Sequence, residues 1–301
     1  MRRLHERPIA VALVGAFTIA FSSIFFRLSH ASPSTGAFFR CTLALPPLLV
    51  LAELEDRRYG GRGRRARALA MLAGFFFALD LQCWHHGILE VGAGLATVLA
   101  NLQVILVGPV AWLVLRERPR TRVLAAMPIA LCGVILISGI VGSGEYGRNP
   151  MLGAVFGLGT GFAYAGFLFT LRQSSSDLRR FAGPLCDATI AAALASTLIG
   201  LAVGDLDFGP PLHTLAWLAA LALGSQFFGW LVISFSLPRL SAAHGSVLLT
   251  VQPVMSVLFA EPILGERPSP LQLAGVALVV GGVLTASIGR REPIPEPALA
   301  E

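Results

Sequence analysis

The sequence predicts an all-α membrane protein: ten transmembrane helices in two inverted five-helix repeats, with N- and C-termini cytoplasmic. Three observations predict it. First, 55% of the 301 residues are hydrophobic and only 13% are charged, with a mean hydropathy of +0.72, whereas soluble domains carry about 25% charged residues. Second, all 23 basic residues are Arg and most cluster in short segments between apolar runs. Despite a formal net charge of +6, that is the footprint of membrane topology and not of a nucleic-acid surface. Third, the chain resembles itself when slid by 149 residues.

A bilayer-spanning helix needs about 20 mostly apolar residues. Runs of that kind predict helices over 8–27, 33–53, 68–88, 92–115, 121–140, 151–171, 182–203, 214–235, 244–264 and 270–288. The first follows a basic start, "MRRLHERP", and "SHA" at Ser29–Ala31 faintly resembles a cleavage site. Its apolar stretch of about 19 residues exceeds the h-region of a signal peptide, so it reads as a helix that stays. The second contains Arg40 and the third contains Asp80. The fourth and ninth hold Pro109 and Pro253, which can free backbone carbonyls inside a helix. The fifth and tenth are Gly-rich. The loops are too short for a soluble domain, and the tail 289–301 is polar, Pro-containing and expected to be disordered.

The arginines orient these elements. With the N-terminus inside, 19 of them fall in inside segments, while Arg27, Arg148 and Arg267 fall outside and Arg40 lies within a helix. Miscounting one helix would move every later loop to the other side and destroy this asymmetry.

The 149-residue shift lays "LQVILVGPVAWLVLRERP" (Leu102–Pro119) on "VQPVMSVLFAEPILGERP" (Val251–Pro268). Gln103 then matches Gln252, Glu117 matches Glu266, Arg118 matches Arg267, and Gly133 matches Gly282. The expected domains are residues 1–140 and 151–288. Five helices is an odd number, so the second repeat must be inverted in the membrane. Inverted repeats of this kind are a transporter signature, with the substrate site near the midplane between the halves.

These paired segments, each followed by a Gly-rich helix ("LAAMPIALCGVILISG" and "LQLAGVALVVGGVLTAS"), resemble the EamA family of the drug/metabolite transporter superfamily. Arg40 in "GAFFRCTLALPPLL" is similar to that family's second-helix arginine. The resemblance implies a ten-helix transporter of the bacterial inner membrane that exports amino acids, metabolites or drugs from a central cavity. Arg116, where the second copy has Gly265, and Glu261 depart from the pattern.

Asp80 is the sharpest candidate, because a carboxylate at the bilayer centre costs about 2.5–3.5 kcal/mol on insertion scales and faces a cavity or a partner. At about 100° per residue, Trp84 lies about 40° from Asp80, while Gln82, His85 and His86 lie at about 200°, 140° and 240°. Asp80 and Trp84 are expected to line the cavity, where carboxylate and ring could hold an ammonium or Asp80 a coupling proton. His85 and His86 are expected to point away. Asn101, Gln103, Tyr164, Gln226, Trp230 and Gln252 complete the candidate substrate site. Ser22, Ser23, Thr160, Ser225 and Thr250 read more simply as helix glue. Arg40 either snorkels or neutralises a carboxylate. Glu117 and Glu266 read as helix-end charges that fix loop geometry.

Adjacent histidines lack the i,i+4 spacing of a helical zinc site, and Cys41, Cys83, Cys132 and Cys186 lie singly, so no metal, disulfide or cofactor is expected. A nucleotide motif is absent, which excludes direct ATP coupling. The competing reading is a non-transport membrane enzyme or sensor built on Asp80, His85 and His86. The expected partners are a small-molecule substrate and the lipid bilayer, with no nucleic acid, the chain acting as a monomer or weak oligomer.

Overall fold

The computed structural model describes residues 8–106, 121–141, 146–174, 177, 179–236 and 242–287. Among them every regular element is helical. In chain order they are α1 (Pro8–Ala20), α2 (Ser22–Ser29), α3 (Pro33–Tyr59), α4 (Arg64–Val91), α5 (Ala93–Ala100), α6 (Thr121–Ile137), α7 (Pro150–Ser174), α8 (Ala182–Val203) and α9 (Leu212–Ala220). A π-helical segment (Leu221–Gly229) joins α9 to α10 (Trp230–Ser236), followed by α11 (Ala242–Leu264) and α12 (Pro270–Ser287). Six helical stretches are long and apolar enough to cross a membrane, and the stretches Ala93–Leu106, Thr121–Ile137, Val251–Leu264 and Pro270–Ala286 are shorter apolar helices.

The surface matches a lipid solvent. Leu194, Leu198 and Leu201 on one face of α8 are 59%, 69% and 60% exposed, a row that water would penalise and acyl chains accept. Between helices the contacts are made by small residues. A Cβ on Gly74 of α4 would lie 2.1 Å from the Ala188 carbonyl oxygen of α8, so nothing larger than glycine fits there. Along α7, Gly153, Gly157 and Gly166 receive Val91, Leu99 and Phe76.

Contacts between equivalent helices show how the halves are related. In the α6/α12 pair, Gly133 meets the backbone of Gly275, and Ala126 meets Gly282. As one number rises the other falls, so the helices run antiparallel. Gly133 and Gly282 occupy the same repeat position, as do Ala126 and Gly275. The two contacts are therefore one contact seen twice, exchanged about a local two-fold axis.

The ends of α3 and α8 repeat the pattern. Oδ2 of Asp205 accepts from the N–H of Ser34 at the start of α3. Oε2 of Glu55 accepts from the N–H of Gly183, which is Ser34's repeat equivalent, and Oε1 accepts from Phe181 and Ala182. Each carboxylate satisfies orphan amides at the N-terminus of the other repeat's helix, at opposite ends of the bundle.

Several elements differ from the sequence expectation. α3 continues to Tyr59 and α4 starts at Arg64, because "ELEDRRY" and "RRAR" are good helix formers that need no bilayer. The first helix is broken at Phe21 without Pro or Gly. At the break Ser256 of α11 donates to the Ala20 carbonyl at 3.0 Å, a side-chain contact of the kind that accompanies helix kinks. The π-helical segment has no counterpart in the periodicity either. Pro109, Arg116, Glu117, Arg118 and the tail lie outside the described residues.

Candidate functional site

The site is built where α3, α4, α7 and the π segment meet. Arg40 of α3 is 3% exposed, so it does not snorkel to the surface. Its Nε donates to Oε1 of Gln226 at 3.0 Å and its Nη1 to Oγ of Ser22 at 3.1 Å. Nε2 of Gln226 in turn donates to Oγ1 of Thr189 at 3.4 Å. Thr189 is Arg40's repeat equivalent, and Gln226 is that of Phe77, whose ring lies 5.6 Å from the Arg40 guanidinium carbon. Arg40 therefore spans the two repeats close to their local two-fold axis. The π segment helps to aim Gln226, since one wide turn re-registers the face that follows it.

Asp80 and Trp84 lie one turn apart on α4 and are both buried. The Trp84 ring lies 5.4 Å from the Arg40 guanidinium carbon, a cation–π arrangement. Arg40 and Asp80 act on one another electrostatically, yet their charged atoms stay beyond the 4.0 Å of an ion pair. Asp80 makes no hydrogen bond or ion pair among the described residues. Beside them stands an aromatic cluster. Trp230 meets Phe167 at 5.3 Å, Tyr164 at 6.0 Å and Phe77 at 6.2 Å. The indole N–H groups of Trp84 and Trp230 are buried and have no partner among the described residues.

Tyr164, Trp230 and Gln252 line a cavity of about 30 Å³ together with Ala16, Ile19, Leu168 and Ile233. That volume holds a water or two and is far below the roughly 300–1,000 Å³ of a ligand pocket, so this cavity is closed to a solute.

The structure thus gathers Asp80, Trp84 and Gln226 around Arg40 and Tyr164, Trp230 and Gln252 on the neighbouring cavity, whose lining, against the sequence expectation, includes neither Asp80 nor Trp84. It turns Asn101 elsewhere: its Nδ2 donates to the Thr97 carbonyl at 2.9 Å. Gln103 is buried with Oε1 unpartnered, and its backbone approaches Gly161 of α7. His85 is fully buried, with Nδ1 3.0 Å from the Pro33 carbonyl and its ring stacked 3.8 Å above Phe26. His86 stacks on Phe156 of α7 at 4.9 Å. Both histidines dock α4 against its neighbours. Oε1 of Gln82 accepts from Ser34. The Thr250 side chain lies outside the described residues. Phe77 and Phe167 were not singled out from the sequence, because one Phe among 19 carries no signal of its own.

Among the described residues no cluster of three or more His, Cys, Asp or Glu side chains could hold a metal.

With this geometry in place, comparisons give it a context. The model of the EamA-like transporter family matches residues 7–139 and again residues 151–288. The uncharacterized transporter YwfM of Bacillus subtilis is 24% identical over 74% of each chain. The uncharacterized transporter sll1319 of Synechocystis is 22% identical over 95% of this chain and 94% of its own. An uncharacterized transporter of Archaeoglobus fulgidus is 24% identical over 92% and 97%. A solved crystal structure shares the fold, with a TM-score of 0.63 over 96% of this chain and 99% of that one at 14% identity.

Proposed function

We propose, from the premise that this chain belongs to the EamA-like transporter family, that it is a secondary transporter working by alternating access. In this reading all ten apolar helices cross the bacterial inner membrane, both termini are cytoplasmic, and the Arg-rich end of the bundle faces the cytoplasm. The protein exports amino acids, amine-like metabolites or drugs.

One observation supports the reading most. Arg40 and Asp80 are buried in one cluster between the repeats without touching, beside a closed cavity. A buried charge left without a direct partner is costly, and a substrate that supplies the missing contacts repays that cost. Asp80 takes an ammonium or a coupling proton, and the aromatic cluster takes an apolar body. Nucleotide sugars and other phosphate esters fit poorly, because they need several cationic partners and Arg40 already donates to Gln226 and Ser22.

The test is flux into proteoliposomes from a panel of radiolabelled solutes. Amino acids, amines or apolar drugs are expected to move, and preferential nucleotide-sugar exchange would contradict the substrate class. Movement of no solute under any gradient would favour an enzyme or sensor. The topology is checked with single cysteines: Gly61→Cys should label only from the cytoplasm, and Pro268→Cys only from outside.

A further inference from the structure

Glu266 follows α11, where Gly265 at φ +70° ends the helix in the left-handed region. The side chain is turned inward and is 1% exposed. Its Oε1 accepts from the Ala93 N–H at 2.6 Å and its Oε2 from the Gly94 N–H at 3.1 Å. These are the first amides of α5, in the other repeat. The fit is tight: Gly92 has φ +92°, and a Cβ there would lie 2.8 Å from Oε2 of Glu266.

At this end of the bundle other helices have caps of their own, α3 in addition to the Asp205 carboxylate. The Ser32 hydroxyl accepts from Thr35 at the start of α3, Asn149 from Leu152 at the start of α7, and Ser269 from Gln272 at the start of α12. α5 has no cap of its own, since its N-cap is Gly92. It borrows one from across the repeat boundary. Directly beneath lies a hydroxyl cluster joining α2, α5 and α11: Oγ of Ser256 is 2.8 Å from Oγ of Ser23 and 3.4 Å from Oγ1 of Thr97.

We propose that Glu266 is the latch of the outer gate, a positioning residue that holds the N-terminus of α5 across the repeat boundary and releases it when the cavity opens outward. The inference rests on the alternating-access reading and on the orientation given above. Borrowing the cap makes the closed state depend on the two repeats being together. When they part, water can reach both amides and the carboxylate, so release leaves no polar group buried. Two charge-assisted hydrogen bonds stabilise closure without making it permanent.

The test uses the full-length chain with Cys41, Cys83, Cys132 and Cys186 replaced by Ala. Thr97→Cys, one turn below the latch, is labelled from outside with a membrane-impermeant thiol reagent. Gly209→Cys, in the exposed turn after α8, is the reference for insertion. Glu266→Gln is expected to raise the Thr97→Cys rate about tenfold, the scale of one lost charge-assisted hydrogen bond, with the reference unchanged. Glu266→Asp, one methylene shorter, should fall between. Equal Thr97→Cys rates with Glu266 and with Gln overturn the latch. Should Glu266→Gln lose the reference signal, Glu266→Asp decides by the same criterion. Ile233→Cys, lining the cavity, is labelled from the cytoplasmic side in parallel. Its rate should fall as that of Thr97→Cys rises. A rise without that fall supports the latch and contradicts alternating access.

Discussion

Two regions of the molecule hold Arg and Asp together, and they use them differently. At the Arg-rich end the charges are paired directly. Arg62 bonds Asp187, Arg67 and Arg180 bond Asp56, and Arg179 bonds Asp177. Nη2 of Arg180 also donates to the Tyr59 and Gly60 carbonyls. Arg180 ties the α3/α4 turn to the segment between α7 and α8, and Arg62 ties it to α8. At the centre, Arg40 and Asp80 share one cluster and do not meet. In the first region the Arg67–Asp56 and Arg179–Asp177 pairs are partly exposed and each contributes modestly, whereas the Arg62 and Arg180 side chains are buried. The second is far from water, where an unmade pair costs most. The difference teaches that a charge's position relative to the bilayer says less than whether its bonds are used up. Around Arg179 and Arg180 the polar groups are taken up by direct pairs, Arg62 keeps Nε and Nη1 without a partner among the described residues, and at the centre Asp80 has no hydrogen bond or ion pair among them.

Substitutions in the two regions are expected to differ in kind as well as in size. The largest effect is expected at Arg40. Arg40→Gln removes the charge, its cation–π contacts with Phe77 and Trp84, and part of the link to Gln226. It should abolish flux and also lower thermal stability, by about 2–4 kcal/mol for loss of a buried hydrogen-bonded charge, read in detergent. Undiminished flux would separate Arg40 from the site.

Arg62→Ala should act on stability alone. The Arg62 side chain is 7% exposed, and its loss leaves Asp187 half-buried and unpaired. A cost of about 1–3 kcal/mol is expected, with the solute preference of the folded protein unchanged. A shifted preference would extend the site to the Arg-rich end.

The smallest effect is expected at Arg179→Ala. Hydrogen bonding from Arg179 holds the Asp177 carboxyl below its ordinary range. The pair's contribution is therefore present above about pH 4 and is lost as the pH falls through the depressed value. Arg179 is exposed and Asp177 partly so, so the difference in unfolding between wild type and variant at pH 7 should be the smallest of the three and should vanish in acid.

How much was legible in the sequence differs between fold and site. α8 (Ala182–Val203) has the bounds its apolar run predicts, because lipid on one side and Gly and Ala contacts on the other leave a run of fixed composition. The break at Phe21 was not legible, since neither Pro nor Gly marks it and the serine bonded to the carbonyl beside it is more than 230 residues away. The 40° spacing of Asp80 and Trp84 could be read from helical geometry alone. The aromatic cluster could not, because Phe77 and Phe167 look like any lipid-facing Phe until α4 and α7 are packed. Glu266 reads as a loop charge in one dimension, and only the turn at Gly265 reveals that it points inward across the repeat boundary.

In the proposed mechanism Asp80, which has no hydrogen bond or ion pair among the described residues, is kept for the substrate or its coupling proton. The most direct test of that role is flux of the best wild-type solute through Asp80→Asn, reconstituted from protein that remains monodisperse. Substituting a neutral isostere for a buried, unpartnered carboxylate should leave the fold intact and abolish net flux. If Asp80 carries only the coupling proton, exchange of solute for solute will persist while accumulation driven by a pH gradient is lost. Wild-type exchange together with wild-type pH-driven accumulation in Asp80→Asn would contradict the account.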